Sequence, residues 1–216
     1  KDIEVEWIIE RMVGHAQLTI EKKPYPGTPE PVLEVIDYKL PRLGGGYTVD
    51  HVSFTLHRGE VLGIYGLMGA GRTELVESLM GLHPESSGEM VLDGAKITHP
   101  VVSEQIARGM VLVPEDRQKD GLVQCMSIFN NMRLTSLKRL STHGLMREKD
   151  SRREVAETVR DLQVKVADVN HLVTALSGGN QQKVVIGKCV MAHAKVFIMD
   201  EPSRGIDVGA KTDIFN

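Results

Sequence analysis

The chain has two cysteines and no apolar run that approaches the roughly 20 residues needed to cross a bilayer. Cys125 and Cys189 lie far apart without C-x-x-C spacing, and the histidines form no ligand cluster, so neither a disulfide framework nor a zinc site is indicated. The first residues also lack the charged-then-apolar order of a secretory signal. We therefore expect a reducing compartment, with any membrane span supplied by other chains.

Clustered positive charge is lacking as well. The net charge is −3 and the Lys and Arg residues are scattered, which argues against a nucleic-acid partner. Apolar residues, in contrast, make up 41% of the 216 residues. That content is enough to bury the core of one sizeable α/β domain, or of one domain with an inserted subdomain.

Residues 61–74 run from an apolar segment, predicted to be a strand, through a turn with three glycines into a helix. The turn fits the phosphate-loop pattern G-x-x-x-x-G-K-[ST] except that Arg72 replaces the lysine. Glycines let successive N–H groups turn toward an anion at a helix N-terminus, and Arg72 can pair with phosphate through two donors. The predicted nucleotide-binding residues are Gly66, Gly69, Ala70, Gly71, Arg72, Thr73 and Glu74. Taken alone, a turn that only packs helix on sheet is an equal alternative.

The segment before residue 32 reads as separate from the rest. Residues 3–13 carry apolar side chains at helical spacing before Gly14, which predicts a short amphipathic helix. Prolines between residues 24 and 31 then exclude a helix or a central strand. We interpret residues 1–31 as a helix and Pro-rich linker from a preceding domain, and residues 32–216 as the nucleotide-binding domain.

Several short strands are predicted around the phosphate loop. Residues 32–38 and 52–56 read as strands, the second half-buried and antiparallel, and residues 90–97 read as a hairpin with an Asp-Gly turn. Residues 110–113 predict a short buried strand. The helix after the loop is expected to carry Leu75, Leu79 and Leu82 on one face and to stop at Gly81.

From about residue 127 the pattern changes, and strands disappear until residue 196. Val155, Val159, Leu162 and Val166 mark one face of a helix. We interpret residues 127–176, approximately, as an inserted helical subdomain. A second glycine turn at residues 176–183 then opens a helix that runs to about Met191.

Two carboxylates follow the last apolar run. Residues 196–199 predict a fully buried strand, and Asp200 and Glu201 come directly after it. Beside a phosphate loop, Asp200 can hold the water shell of Mg²⁺ and Glu201 can orient or deprotonate the attacking water. The less favoured alternative, for the pair seen alone, is that it only caps the next turn.

The heptad Leu-Ser-Gly-Gly-Asn-Gln-Gln at residues 176–182 resembles the signature of ATP-binding cassette (ABC) ATPases, and the order of loop, signature and acidic strand agrees. The likeness is closest to the second cassette of the fused two-cassette ATPases of bacterial monosaccharide importers of the ribose, galactose and xylose kind. It rests on residues 66–74, 114–117, 120–122 and 201–211. The resemblance implies an α/β P-loop NTPase fold with an antiparallel β portion and a helical subdomain, with ATP and Mg²⁺ as cofactors.

The resemblance also implies how such a cassette works. Cassettes pair head to tail, so Ser177, Gly178 and Gly179, followed by Gln182, would serve the ATP of a partner cassette, which we expect in the same full-length chain. Asp207 falls in the loop that communicates across the dimer. Glu115 takes the place of a glutamine that touches Mg²⁺ and senses the transmembrane permease subunits, which would complete the metal set with Thr73 and Asp200. A sugar-binding protein is an indirect partner, and the expected location is peripheral, on the cytoplasmic face of the cell membrane.

Two departures from the family pattern bear on activity. Arg72 replaces the phosphate-loop lysine, and the family's histidine near Glu201 lies on a later segment, whereas no histidine follows His193 here. We therefore expect the domain to be truncated at its C-terminus and the isolated chain to have negligible ATPase activity. A regulatory cassette that binds nucleotide without turnover is the alternative. A non-transport ABC protein would carry long coiled coils or basic arms, and the sequence has neither.

Overall fold

The computed structural model describes residues 30–206. The amphipathic helix and most of the linker predicted within residues 1–31 lie outside them, as does Asp207. The strands are β1 (Pro31–Pro41), β2 (Tyr47–His57), β3 (Ser87–Leu92), β4 (Ala95–Ile97), β5 (Met110–Val113), β6 (Ser141–Thr142), β7 (Leu145–Met146) and β8 (Val196–Met199). The helices are α1 (Arg72–Met80), α2 (Val102–Arg108), α3 (Ile128–Arg133), α4 (Glu148–Asp161) and α5 (Gly178–Met191).

An antiparallel sheet is formed by the first four strands, in the order β2-β1-β3-β4. Val35 of β1 lies opposite Phe54 on one side and Met90 on the other, as the alternating pattern predicts. The Asp93-Gly94 turn of the β3–β4 hairpin has positive φ at both residues, which explains the Asp-Gly pair. The Tyr38 hydroxyl donates to the carbonyl of Ser78 at 3.1 Å, which ties this sheet to α1.

A second sheet pairs β5 with β8 in parallel. The prediction of a strand at residues 61–66 is wrong. Among the regular elements of residues 30–206, none includes residues 61–66, and Tyr65 is 96% exposed. Apolar composition indicates a strand, but only hydrogen bonds to a neighbouring strand make one, and the sequence pattern does not supply the neighbour. Strand β8 is likewise not fully buried as predicted, since Phe197 and Met199 are both exposed.

The helical insert is mainly as predicted, with two corrections. A short β6–β7 hairpin interrupts it, so strands do not disappear between residues 127 and 176. Helix α4 ends at Asp161, so Leu162 and Val166 do not continue its face. Both still pack on the same apolar cluster as Val155, which explains why their spacing resembled one helix.

Strand β5 lies between two apolar clusters. Met110 belongs to the cluster under the antiparallel sheet and α1, whereas Val111 and Val113 belong to the cluster formed with α3, α4 and α5. Alternate side chains of one strand point to opposite faces, so four residues join both halves of the core. Among residues 30–206, every helix is too short or too polar to cross a bilayer.

Candidate active site

The glycine turn before α1 has the geometry that its sequence predicts. Gly69 and Gly71 have φ of 76° and 81°, and Gly71 is the N-cap of α1. A Cβ atom at residue 71 would lie 2.3 Å from the carbonyl oxygen of Thr48, so only glycine fits there. No side chain caps this helix N-terminus. The N–H groups of its first turn are therefore available to an anion.

Three oxygen-bearing side chains meet beside that helix. The Thr73 hydroxyl donates to Asp200 at 2.6 Å and lies 3.4 Å from an oxygen of Glu115. Asp200 follows β8 and Glu115 follows β5 by two residues, and parallel strands bring their carboxyl ends to one edge of the sheet. The structure thus brings together the three side chains that the sequence assigned to Mg²⁺.

The chemistry of this set fits Mg²⁺, which prefers hard oxygen ligands and usually keeps water and substrate phosphates in its shell. Within residues 30–206, no group of three or more His, Cys, Asp and Glu is arranged to hold a metal ion. Thr73, Asp200 and Glu115 would therefore hold Mg²⁺ together with nucleotide oxygens, and not as a complete protein cage.

Arg72 and Glu201 form an ion pair that the sequence did not predict. Nη2 of Arg72 lies 3.1 Å from Oε1 of Glu201, and their side chains are 30% and 44% exposed. Solvent-exposed pairs of this kind are worth at most about 1 kcal/mol. A bound triphosphate carries several charges and would outcompete one carboxylate for the guanidinium. Arg72 and Glu201 lie 129 residues apart, so no local spacing in the sequence could have predicted that they pair.

The second glycine turn opens α5 at Gly178, with Ser177 as an exposed N-cap residue. The Ser177 side chain does not cap the helix, and its hydroxyl oxygen instead accepts a hydrogen bond from the side-chain Nδ2 of Asn180 at 3.0 Å. The first N–H groups of α5 are therefore again free of a side-chain cap. Gly179 is buried, and Gln182 is 2% exposed. Gln182 can therefore affect a ligand only through the turn at residues 177–179.

One further pairing completes the site. The Glu115 carboxylate, besides its contact with Thr73, forms an ion pair with Arg204. The two residues stand in the stretches 114–117 and 201–205, which the sequence singled out only by their resemblance to one subfamily. The contact between Glu115 and Arg204 joins segments almost 90 residues apart, so no local sequence pattern could have predicted it.

The family described as ABC transporter matches residues 49–204, which include the first glycine turn, the second glycine turn and both carboxylates. The chain belongs to the ABC transporter ATP-binding family. This cassette is 40% identical over its whole length to the ribose import ATP-binding protein RbsA of Chelativorans sp. (strain BNC1), covering 42% of that protein. It is 44% identical over 79% of its length to the xylose import ATP-binding protein XylG of Brucella abortus (strain 2308), covering 34% of it.

A third relative is the uncharacterized ABC transporter ATP-binding protein YphE of Escherichia coli (strain K12), 36% identical over 96% of the cassette and 41% of the relative. The cassette thus spans less than half the length of these curated relatives. In fold it is similar to the dimeric post-hydrolysis structure of the ATP-binding cassette MJ0796 bound to ADP and Pi. That match has a TM-score of 0.71 and 21% identity, and covers 85% of this chain and 78% of the other.

A second solved cassette, MJ1267, gives a TM-score of 0.70 at 23% identity over 86% of this chain and 75% of the other. At such identities these likenesses speak for the fold alone. They confirm the expected P-loop NTPase fold of mixed α/β type with an antiparallel sheet. The family match, and not these structures, makes the chain a member of the ABC transporter ATP-binding family, with relatives named for sugar import.

Proposed function

We propose that the cassette binds Mg-ATP at residues 66–74 and that its hydrolysis drives monosaccharide import. The observation that carries the proposal is the convergence of Thr73, Asp200 and Glu115 beside an uncapped helix N-terminus. The names of two relatives, which are ribose and xylose import proteins, support the substrate class.

Each side chain has a part in this proposal. The N–H groups at the start of α1 and the Arg72 guanidinium bind phosphate oxygens. Thr73, Asp200 and Glu115 would hold Mg²⁺, and a bound Mg²⁺ would supply positive charge beside the phosphates. Glu201 orients the attacking water once Arg72 has moved to the nucleotide. Positioning and charge stabilisation supply the catalysis, because phosphoryl transfer needs little covalent help from the protein.

We further propose that this is the second cassette of a fused pair. It spans less than half of its curated relatives, and a similar solved cassette is a dimer. Ser177, Gly178 and Gly179 would then serve ATP held by the partner cassette, with Asp207 in the loop between the two. Permease subunits and, through them, a sugar-binding protein complete the assembly on the cytoplasmic face of the membrane.

A cassette that binds nucleotide without turning it over is a second candidate. The Arg72–Glu201 ion pair favours it, because the residue that replaces lysine occupies the proposed general base. Under this scheme Arg72 can bind the phosphates, but whenever it pairs with Glu201 that carboxylate is not available to orient the attacking water. Both candidates predict negligible phosphate release by the isolated 216-residue chain, and they differ in the full-length protein.

Equilibrium binding of Mg-ATP to the full-length protein tests the proposal. Arg72→Ala should weaken binding at this cassette about tenfold or more, since a charge-assisted phosphate contact is lost, without lowering the melting temperature of the ligand-free protein. Exposed Arg160, which pairs with the adjacent Asp161, is the matched control for charge. Unchanged binding by calorimetry in Arg72→Ala would return Arg72 to a structural role at the helix start.

A further inference from the structure

Arg117 contacts the loop that follows the two carboxylates. Its Nη1 donates to the carbonyl of Arg204 at 2.9 Å, and its Nη2 donates to the carbonyl of Gly205 at 3.2 Å. The planar guanidinium is suited to this, because it presents two donors in a fixed fork. One side chain thus holds two successive carbonyls of a loop that starts at Glu201.

The same guanidinium packs against the second glycine turn. A Cβ atom at Gly178 would lie 2.8 Å from Nη2 of Arg117. Gly178 begins α5 and its φ is not in the left-handed region, so the backbone conformation alone does not require glycine. A larger residue at position 178 would have to displace the Arg117 guanidinium.

The cost of placing Arg117 here argues against simple packing. Its Nε atom is buried and has no hydrogen-bond partner in the structure. A buried donor without a partner is unfavourable, and a shorter or apolar side chain would avoid it. Arg117 therefore lies where its two Nη donors reach the loop, while its buried Nε has no partner in the structure.

The neighbours of Arg117 extend the contact to the phosphate loop. Glu115, two residues earlier, contacts both the Thr73 hydroxyl and the Arg204 guanidinium. Asp116 accepts hydrogen bonds from the N–H groups of Gln118 and Lys119, at 3.0 and 3.1 Å, which fixes the turn that carries Arg117. Residues 115–117 therefore contact the start of α1, the loop after β8 and the start of α5.

We infer that Arg117 is a positioning residue that links the two half-sites of this cassette. It ties the signature turn at Ser177–Gly179, which acts on the partner's ATP, to the loop after Asp200 and Glu201, which act on the cassette's own ATP. The inference rests on the proposed function, because only paired cassettes give the signature turn a ligand. Arg117 itself touches neither nucleotide in this scheme.

Amide hydrogen exchange in the full-length protein tests the link directly. Arg117→Ala should raise exchange about tenfold at the amides of Gln181 and Arg204, which are bonded to the carbonyls of Ser177 and Glu201, because the signature turn and the loop after β8 lose a common anchor. Arg117→Lys should not restore protection, since one ammonium group cannot replace the fork. Arg160→Ala removes an equal charge from an exposed site and should leave both segments unchanged. Unchanged exchange at either segment in Arg117→Ala would overturn the inference.

Steady-state kinetics separate positioning from mere structural support. Arg117→Ala should lower kcat about tenfold or more, with the KM for ATP and the melting temperature unchanged. If Arg117→Ala fails to fold, Gly178→Ala supplies a second variant, because its methyl group displaces the guanidinium without removing it. Exchange of the Arg204 amide should then rise although the substitution lies at residue 178, and no rise there would overturn the link.

Two substitutions distinguish a failure of this inference from a failure of the proposed function. If Ser177→Arg stops turnover while Arg117→Ala leaves both kcat and exchange unchanged, the inference alone is wrong. If Ser177→Arg leaves turnover unchanged, the signature has no role in hydrolysis, and the proposed function is wrong. In that case, exchange of the Gln181 amide still decides whether Arg117 anchors the turn.

Discussion

The two glycine turns of this cassette open helices in the same way but are supported differently. Both α1 and α5 start without a side-chain cap. Residues 61–67, which lead into α1, belong to no regular element of residues 30–206, and Val61 and Tyr65 are almost fully exposed. Helix α5, in contrast, buries Val184 and Val185 in the core and has its first turn packed against Arg117.

The polar side chains of the two turns also differ in how far they are engaged with one another. At the phosphate loop, functional side chains pair with one another, as Thr73 does with Asp200 and Arg72 with Glu201. At the signature turn, Ser177 is exposed on a firmly packed helix. The signature turn, which is proposed to serve another cassette, is therefore preorganised. The phosphate loop, in contrast, must break the Arg72–Glu201 ion pair before Arg72 can bind nucleotide.

The largest expected effect concerns the two glycines of the phosphate loop. Gly71→Ala should destabilise the protein by roughly 3 kcal/mol, because the new Cβ atom would meet the Thr48 carbonyl at a positive φ. Gly69→Ala is the matched control, since its φ is similar but its Cβ position is open, and it should cost about 1 kcal/mol. Urea unfolding measures both. Equal losses would mean that the loop does not rest on Thr48, and the comparison would lose its structural basis.

The contrast between the turns also explains what the sequence could predict. The antiparallel strands, the Asp93-Gly94 turn and helix α5 were readable because strand alternation and glycine turns are local signals. The missing strand at residues 61–66 and the exposed side of β8 depend on which strands become neighbours. The same applies to Arg117, Arg204 and the Arg72–Glu201 pair, whose contacts join distant segments. The sequence identified the chemical groups at both turns but not their partners.

A smaller effect is expected in the helical half that carries the signature. Arg139 donates to Glu154 at 2.9 Å and holds the pKa of that carboxyl below its usual value of 4.5. Because the folded-state pKa is lowered, the pair stabilises the protein above about pH 4.5 and this contribution is lost as the pH falls through the folded-state pKa. Glu154→Gln should cost about 1 kcal/mol at pH 7, allowing for solvent screening.

The free energy of unfolding as a function of pH measures this contribution. Glu157→Gln, an exposed neighbour on α4, should show no comparable loss. The difference between Glu154→Gln and the original protein should shrink as the pH is lowered. A difference that persists unchanged in acid would mean that Glu154 acts by packing and not by charge.

The smallest effect is a difference in reactivity without any change in stability. Cys189 on α5 is buried, and burial raises its pKa to about 11, whereas Cys125 is exposed. Since the thiolate is the reactive form, a thiol reagent at pH 8 should modify one group in the native chain and two after unfolding. Rapid modification of Cys189 in the native chain would show that α5 is less firmly packed than the comparison requires.

The unequal roles of the two half-sites are tested most directly by two substitutions in the full-length protein with its permease, at saturating Mg-ATP. If the partner cassette hosts most of the hydrolysis, Ser177→Arg should reduce phosphate release about 100-fold, because the signature amides stabilise charge on the partner's γ-phosphate. Glu201→Gln should reduce it less than about tenfold, because Glu201 belongs to the site with Arg72. Melting transitions would confirm that both variants fold. Equal losses would mean equivalent sites, and a larger loss from Glu201→Gln would contradict the account.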